Sequence, residues 1–409
     1  MTAPINNKPF IAIACGGTGG HLFPGLAVAE QLQQRGCAVA LLISPKDVDQ
    51  QAVKSAKHME VFTLPAVGLQ NRNYFSFARS FWQSWRAAKK IFQARPPQAV
   101  LAMGGFTSAP PILAGNAFGA KTFLHESNTI PGKANRFLAR FVNEAFVGFP
   151  EAAARLKACK ISVTGTPVRP QFQARDAAEC RLALGLEPNR PVVLVVGGSQ
   201  GASGLNDMVL SALPLLQERG RPARELSGGG EHAGGPPALQ FLHLTGTGDF
   251  EKVKAAYAAL GIKAVVKPFL VEMDLALGAA TISVSRSGAS SLAEIAAMRL
   301  PSLLVPYPAA ADNHQLTNAT AFEKTGAAKL LEQKNSTPEK VAALLTELVE
   351  SETMRATMQT ALAQWHAPKA AEQIAEIILA AIAQPEKATL SKTKKCGCGH
   401  PHGSAKHAH

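Results

Sequence analysis

No apolar run in these 409 residues approaches the roughly 20 that a bilayer-spanning helix needs. The opening Met1–Lys8 is short and polar, and the apolar stretch behind it, Phe10–Cys15, has the length of a strand. Neither resembles the long apolar core and small-residue cleavage site of a secretory signal. Cysteine is sparse, and Cys15, Cys37, Cys159 and Cys180 lack framework spacing, so reduced thiols and a cytoplasmic address are expected. Acidic residues are scarce in one half only. Residues 1–168 carry 18 Lys+Arg against 7 Asp+Glu, and none of the acids lies between Val61 and His125. A basic half suits nucleic acid, an anionic membrane face or an anionic substrate. No dedicated nucleic-acid motif is present, which argues against the first. Also missing are the GxxxxGK[ST] phosphate loop and the GxGxxG dinucleotide loop, and no DxD-like acidic pair stands out as a divalent-metal site.

What is present repeats. A β-branched apolar run (Phe10–Cys15), a glycine-rich turn, a helix from about Pro24 to Gln34 and a second apolar run (Ala38–Ile43) open the chain. Pro191–Val196, Gly197–Ala202 and a helix over Leu205–Glu218 open a second unit about 180 residues later. Strand, glycine turn and helix in alternation predict an α/β fold with two doubly wound parallel sheets and a cleft between them. The chain divides accordingly into 1–167, 168–365, a helical 366–384 that packs back on the first domain, and a low-complexity tail, 385–409. The Gly-, Pro- and Arg-rich segment Arg219–Pro237 reads as a loop or disordered insertion.

Ligands bind such sheets at the carboxyl ends of strands, where glycine loops feed helix N-termini. Three loops qualify: GGTGGH (Gly16–His21), MGGFTSAP (Met103–Pro110) and GGSQGA (Gly197–Ala202), the last with Ser199 as an added hydroxyl donor. LHESNTIPGKANR (Leu124–Arg136) places His125, Glu126 and Asn128 after a strand and before a helix starting near Pro131. His125 and Glu126 suit either chemistry or the satisfaction of buried backbone groups. RSGASSLAEIAA (Arg286–Ala297) follows a strand over Thr281–Ser285. Glu294 there is either a capping-box partner of Ser291 or an acceptor for paired ribose hydroxyls. DNHQLTNA (Asp312–Ala319) groups Asp312, Asn313, His314 and Gln315 in one polar loop after a strand at Ser302–Pro306.

In order and identity, GGTGGHLFPGLAVAE, GGFTSAP, HESNTIPGKANR, TGTPVR, GGSQGA, RSGASSLAEI and DNHQ resemble the MurG N-acetylglucosaminyltransferase family over residues 8–380. The resemblance implies a two-domain GT-B fold, with an acceptor- and membrane-facing first domain and a nucleotide-sugar-binding second. It implies transfer of N-acetylglucosamine from its UDP donor to undecaprenyl-diphosphoryl-N-acetylmuramyl-pentapeptide on the cytoplasmic membrane face. Thr18, Gly19, Gly20 and Asn128 match donor contacts of the first domain, and Arg169 and Ser199 match groups near the diphosphate. Leu270 matches a backbone contact to uracil. Ala289, Ser290, Ser291, Leu292, Ala293 and Glu294 match the nucleotide-binding helix start, with Glu294 on the ribose, and Gln315 matches a contact to the sugar hydroxyls. His21 is the candidate base, with Glu126 and His125 as rivals. Neither an obligate cofactor nor a bound metal is implied; cell-wall synthesis proteins and an anionic membrane surface are implied partners. The chain departs from the family at Ser127, where HEQN is frequent, in the Arg219–Pro237 segment, and in its tail.

A lipid acceptor gives the acid-free stretch a purpose. Over Tyr74–Phe92, helical spacing predicts Phe75, Ala78, Phe81, Trp82, Trp85, Ala88 and Phe92 on one face, with Arg79, Arg86 and Lys90 in a stripe elsewhere. That pattern suits an amphipathic helix lying on anionic lipid, or a core-packed helix with a solvated basic face. Cys396, Cys398, His400, His402, His407 and His409 in the tail are metal ligands by type, but their spacing matches no structural zinc module.

Overall fold

The computed structural model describes residues 8–46, 49–50, 59–66, 74–158, 160–198, 201–219 and 239–384. Cys159, Ser199, most of the Arg219–Pro237 segment and the 385–409 tail lie outside these residues.

The first sheet has seven parallel strands in the order β3-β2-β1-β4-β5-β6-β7: β1 (Phe10–Ala14), β2 (Ala38–Ile43), β3 (Glu60–Thr63), β4 (Ala99–Ala102), β5 (Lys121–Glu126), β6 (Glu144–Val147) and β7 (Ile161–Val163). The second has six, in the order β10-β9-β8-β11-β12-β13: β8 (Val192–Val196), β9 (Gln240–Leu244), β10 (Ala264–Lys267), β11 (Ile282–Ser285), β12 (Ser302–Leu304) and β13 (Lys329–Leu330). β1 and β8 are fully or almost fully buried apolar runs, the pattern of strands covered by helices on both faces. Strand order reverses between β1 and β4 in one sheet and between β8 and β11 in the other. Open α/β sheets leave a crevice for ligands at such a reversal. The loops after β1 and β4 meet at the first crevice, where Thr107 donates to the Gly16 carbonyl; at the second, the Arg286 N–H after β11 donates to the Val196 carbonyl at the end of β8.

The chain crosses back at its end. The helix Ala370–Ala383 buries Ile374, Ala375 and Ile378 in the core of the first sheet, beside Leu26 and Leu32 of the helix Gly19–Gln34. Arg35 is 3.2 Å from Glu372 across that contact. Near the crossing, Phe149 from the end of the first sheet packs against Trp365 and Phe322, with ring centroids 5.3 and 6.2 Å away.

Several local expectations change. The first helix begins at Gly19, not Pro24: Thr18 is extended, and Pro24 sits inside the helix. Pro24 has no N–H, so the carbonyl of Gly20, four residues earlier, is left without its helical donor. The helix after β5 starts at Lys133, and Asp312–Ala319 is not one loop, because a helix runs from His314 to Lys324. The 336–383 region forms three helices, Pro338–Glu350, Glu352–Trp365 and Ala370–Ala383.

The helix Tyr74–Ala94 is the largest correction. Its buried residues are Ser80, Ser84, Ala88 and Phe92. Phe75, Ala78 and Trp82 face outward instead of joining Ala88 and Phe92, and Phe75 is 83% exposed. The reason is steric. Two serines let this helix lie close to the helix Ala109–Ala117, and Ser80 Oγ donates to the Pro65 carbonyl at 2.7 Å. Arg86 lies over the Trp82 ring at 4.6 Å and Lys89 over Trp85 at 4.7 Å, so aromatic and basic groups share the outer surface.

Candidate active site

The first glycine loop presses on the end of β2, where a Cβ on Gly16 would lie 2.3 Å from the Ser44 nitrogen. Gly17 has φ of +112°, a conformation that demands glycine. Its N–H is used internally, donating to Asp49 Oδ2 at 2.6 Å. Thr18 occupies the N-cap of the next helix without capping it, so its hydroxyl is spare for a ligand. Gly19 and Gly20 form the first turn, whose N–H groups have no intrahelical acceptor.

His21 follows on that turn, and the second glycine loop explains its setting. A Cβ on Gly104 would stand 2.9 Å from His21 Cε1, and one on Gly105 3.0 Å from Cδ2. The two glycines of GGFTSAP therefore flank the imidazole ring. Nδ1 of His21 is buried and makes no hydrogen bond of sound geometry. Burial pushes the His21 pKa below the usual imidazole range. The Glu126 carboxylate, the Met103 backbone and Asp49 pull the other way, and His314 from the other domain adds to the lowering. Burial outweighs the opposing groups, so the setting favours the neutral ring.

Glu126 and His125 sit deeper. Glu126 Oε1 accepts from the Asn128 backbone N–H (2.8 Å) and side-chain amide (3.1 Å), and Oε2 from Gly132 N–H (2.9 Å) and Asn135 Nδ2 (2.8 Å). Four donors use the acceptor positions of a carboxylate, and the group organises the Ser127–Asn135 turn. His125 is fully buried, with Nε2 3.0 Å from the Gly165 carbonyl and Nδ1 3.2 Å from Ser127 Oγ. Burial lowers its pKa. Ser127, the departure from HEQN, thus partners this histidine.

The second domain faces these groups with the helix Ala289–Ala297. Its N-cap is Gly288, so Ser291 is not the cap and Glu294 is not a capping-box partner. Ser290 Oγ donates to the Gly20 carbonyl at 2.7 Å, the same carbonyl that Pro24 leaves free. Glu294 is enclosed, with its pKa raised to about 7 by burial against the opposing pull of Arg169. Arg169 Nη2 lies 3.8 Å from Glu294 Oε1, and its guanidinium covers the rings of Phe23 (4.1 Å) and Phe172 (5.1 Å). Burial lowers the Arg169 pKa, and its Nε is buried without a partner.

Gln315, half-buried on the helix His314–Lys324, accepts from the Tyr307 N–H at 3.0 Å. Asp312 and Asn313 before it take left-handed backbone, φ 51° and 53°. Leu270 is buried between exposed Phe269 and Val271. Asn318, which sequence reasoning passed over, closes the cleft: Nδ2 donates to Asn128 Oδ1 at 3.0 Å, and Oδ1 accepts from the Thr129 N–H at 3.0 Å. Arg136 and Asp312 pair across the rim at 2.8 Å. Thr18, Gly19, Gly20, His21, Asn128, Arg169, Ser290, Glu294 and Gln315 are thus brought to one cleft. Asn318 and Asn135 stood inside quoted motifs without a distinguishing signal.

Two family models match this architecture half by half: the glycosyltransferase family 28 N-terminal domain over residues 11–147 and the C-terminal domain over 192–374. A UDP-N-acetylglucosamine–N-acetylmuramyl-(pentapeptide) pyrophosphoryl-undecaprenol N-acetylglucosamine transferase of Anaeromyxobacter sp. (strain K) is 35% identical over 375 residues, 90% of this chain and 91% of its own. The chain belongs to the MurG family. A MurG-family relative of the same printed name from Agrobacterium fabrum is 33% identical, covering 96% of this chain and 100% of its own. The crystal structure of Acinetobacter baumannii MurG superposes with a TM-score of 0.68 at 26% identity, over 91% of this chain and 99% of that one. A UDP-N-acetylglucosamine 2-epimerase structure reaches a TM-score of 0.64 at 13% identity, covering 93% and 99%, which shows a shared fold alone. MurG membership makes the chain a glycosyltransferase with the GT-B arrangement of two parallel-sheet domains.

Proposed function

We propose that this enzyme transfers N-acetylglucosamine from UDP-N-acetylglucosamine to the C4 hydroxyl of undecaprenyl-diphosphoryl-N-acetylmuramyl-pentapeptide, with inversion at the anomeric carbon, in peptidoglycan synthesis. The observation that carries the reading is His21, flanked by Gly104 and Gly105 on the first turn of one helix, where the neighbouring Gly20 carbonyl meets Ser290 at the N-terminus of a helix from the opposite domain.

In this mechanism His21 takes the proton of the C4 hydroxyl through its outward ring nitrogen as the C–O bond forms. A neutral imidazole suits that task near neutral pH. The leaving UDP is stabilised by Arg169, by Ser199 and by the first-turn N–H groups behind Thr18 and Gly288. Glu294, when ionised, accepts the two ribose hydroxyls, and Gln315 and Asn128 orient the sugar. Leu270 holds uracil through its backbone. Closure through Ser290–Gly20 and Asn318–Asn128 aligns the reactants and excludes water.

No described helix is long and apolar enough to cross a membrane. The outer face of the helix Tyr74–Ala94, with Tyr74, Phe75, Trp82, Arg79, Arg86 and Lys90 exposed, suits peripheral contact with anionic lipid on the cytoplasmic side. The test is transfer of radiolabelled N-acetylglucosamine to a short-chain analogue of the muramyl lipid, with diacylglycerol as control. Label on the muramyl lipid alone is expected; label on diacylglycerol, or on neither, rejects the assignment.

A further inference from the structure

Asp49 is a fully buried acid outside the glycine loops. Its Oδ2 receives three hydrogen bonds, all from neutral donors: the Gly17 N–H at 2.6 Å, the Ser44 N–H at 3.2 Å and Ser44 Oγ at 2.5 Å. Its Oδ1 is buried with no partner among the described residues. Burying a carboxylate and leaving one oxygen unpaired is costly, and a neutral residue could cap a turn at lower cost. An acid kept in such a place invites a functional explanation.

The explanation lies in what Asp49 touches. The peptide preceding Gly17 is fixed by Asp49 on the Gly17 N–H and by Thr107 Oγ1, which donates to the Gly16 carbonyl at 2.7 Å. Lys46 Nζ donates to the Gly17 carbonyl at 3.0 Å. These three side chains hold the loop by both polar groups of the Gly16–Gly17 peptide and by the carbonyl of the next. The next residues are Thr18, whose hydroxyl is spare, the two glycines of the first helical turn, and His21. A rotation at Gly17 would swing all four, since a glycine at φ +112° has no side chain to resist it.

We propose that Asp49 is a positioning residue for the transfer reaction: it locks the first glycine loop so that the Thr18–Gly20 segment and the His21 ring face the opposite domain. It rests on the reading of His21 as the base. The Asp49 charge also reaches the imidazole. The charged or titratable groups acting on His21 are Glu126 from the end of β5, Asp49 from the segment after β2 and His314 from the facing domain; the two acids favour its protonated form and His314 opposes it. Burial remains the larger influence. Burial raises the Cys15 thiol, directly after β1, and Asp49 adds to that rise. A single carboxylate therefore sets the loop geometry and supports the basicity of a ring that burial weakens.

The test compares wild type, Asp49→Asn, Ser44→Ala and His21→Ala by kcat, donor KM and the pH profile of kcat, using the short-chain acceptor. Asp49→Asn is nearly isosteric and removes the charge; kcat is expected to fall by about ten- to a hundredfold through loss of alignment. Its acid limb should move to lower pH, because a negative charge that favoured imidazolium is gone. Ser44→Ala removes one hydrogen bond and keeps the charge, so its acid limb should stay with wild type. A wild-type profile and kcat for Asp49→Asn, or an equal limb shift in Ser44→Ala, overturns the proposal. If Asp49→Asn does not fold, Asp49→Glu decides: charge kept with the carboxylate displaced should lower kcat and leave the limb unmoved, and an unchanged kcat overturns it. His21→Ala separates the two readings. Turnover retained there rejects the base assignment itself; turnover lost there, with Asp49→Asn indistinguishable from wild type, rejects only the role of Asp49.

Discussion

The Ser290 hydroxyl donates to the Gly20 carbonyl at 2.7 Å, joining the N-terminal turns of two helices that belong to different sheets. Pro24 makes this contact natural, because its missing N–H withdraws the donor that would otherwise occupy Gly20. A helix-breaking residue inside the first helix is thus matched by a hydroxyl supplied from the other domain. The same turn carries Thr18, Gly19 and His21, so closure and chemistry share one structural element.

Ser290→Ala removes that bond at a cost of about 1 kcal/mol to closure. We expect the donor KM to rise about fivefold with the circular dichroism spectrum and Tm nearly unchanged. Steady-state kinetics at saturating acceptor measures it.

His21→Ala should lower kcat by about 10²- to 10⁴-fold, the usual share of a general base, with smaller changes in donor KM. Equilibrium binding of UDP should survive, which isothermal titration checks.

Glu294 should make donor binding pH-dependent. Its pKa is raised to about 7, so the carboxylate that accepts ribose hydroxyls is progressively protonated as pH falls below neutrality. UDP affinity in the wild type is expected to fall from pH 8 to pH 6. Glu294→Gln should flatten that dependence and weaken binding about ten- to a hundredfold at pH 8, the value of hydrogen bonds to a charged group.

Acid should unfold the second domain early. His243 is buried between Asn206 Oδ1 (3.0 Å from Nε2) and the Tyr257 hydroxyl (3.1 Å from Nδ1). Asn206 spends its amide hydrogens on the Thr245 carbonyl and Asp249, so its oxygen must accept from Nε2–H. Burial lowers the His243 pKa to about 4, so between that pH and about 6.5 the unfolded chain binds the extra proton. Stability from this group is present above pH 6.5 and is lost as pH falls toward 4, about 3 kcal/mol in all. Buried His21 and His125 act in the same direction, whereas Glu294, with its raised pKa, loses stability as pH rises toward 7. A Tm series from pH 7.5 to 4.5 should decline on acidification, and less steeply in His243→Gln.

The triple replacement of Arg79, Arg86 and Lys90 by Gln should weaken binding to anionic vesicles by about a hundredfold, from roughly 1 kcal/mol per basic residue at such a surface. Turnover with a water-soluble acceptor should be unaffected. Vesicle sedimentation at two ionic strengths tests both, since the wild-type affinity should fall with salt.

Strand and helix identity was legible because it is local. A buried parallel strand is a short apolar run such as Val192–Val196, and a glycine pair after it marks a tight entry into a helix whatever the rest of the chain does. Two such units, with their motifs in order, sufficed for the two-sheet architecture and for the family. Tertiary structure decided what those motifs touch. GGFTSAP reads as another ligand-facing glycine loop, yet Gly104 and Gly105 serve as the walls of His21. Glu294 has the spacing of a capping-box residue, but the cap lies at Gly288. Periodicity placed Trp82 with Phe92, whereas Ser80 and Ser84 turn inward because a neighbouring helix needs room. Asp49, two residues after Asp47, was not distinguished in sequence, since an acid in a polar stretch acquires meaning only when the chain brings Gly17 within 2.6 Å of it. Periodicity and turn chemistry are set by neighbours in sequence, while burial, partner choice and the protonation of a ring depend on groups that meet only after folding.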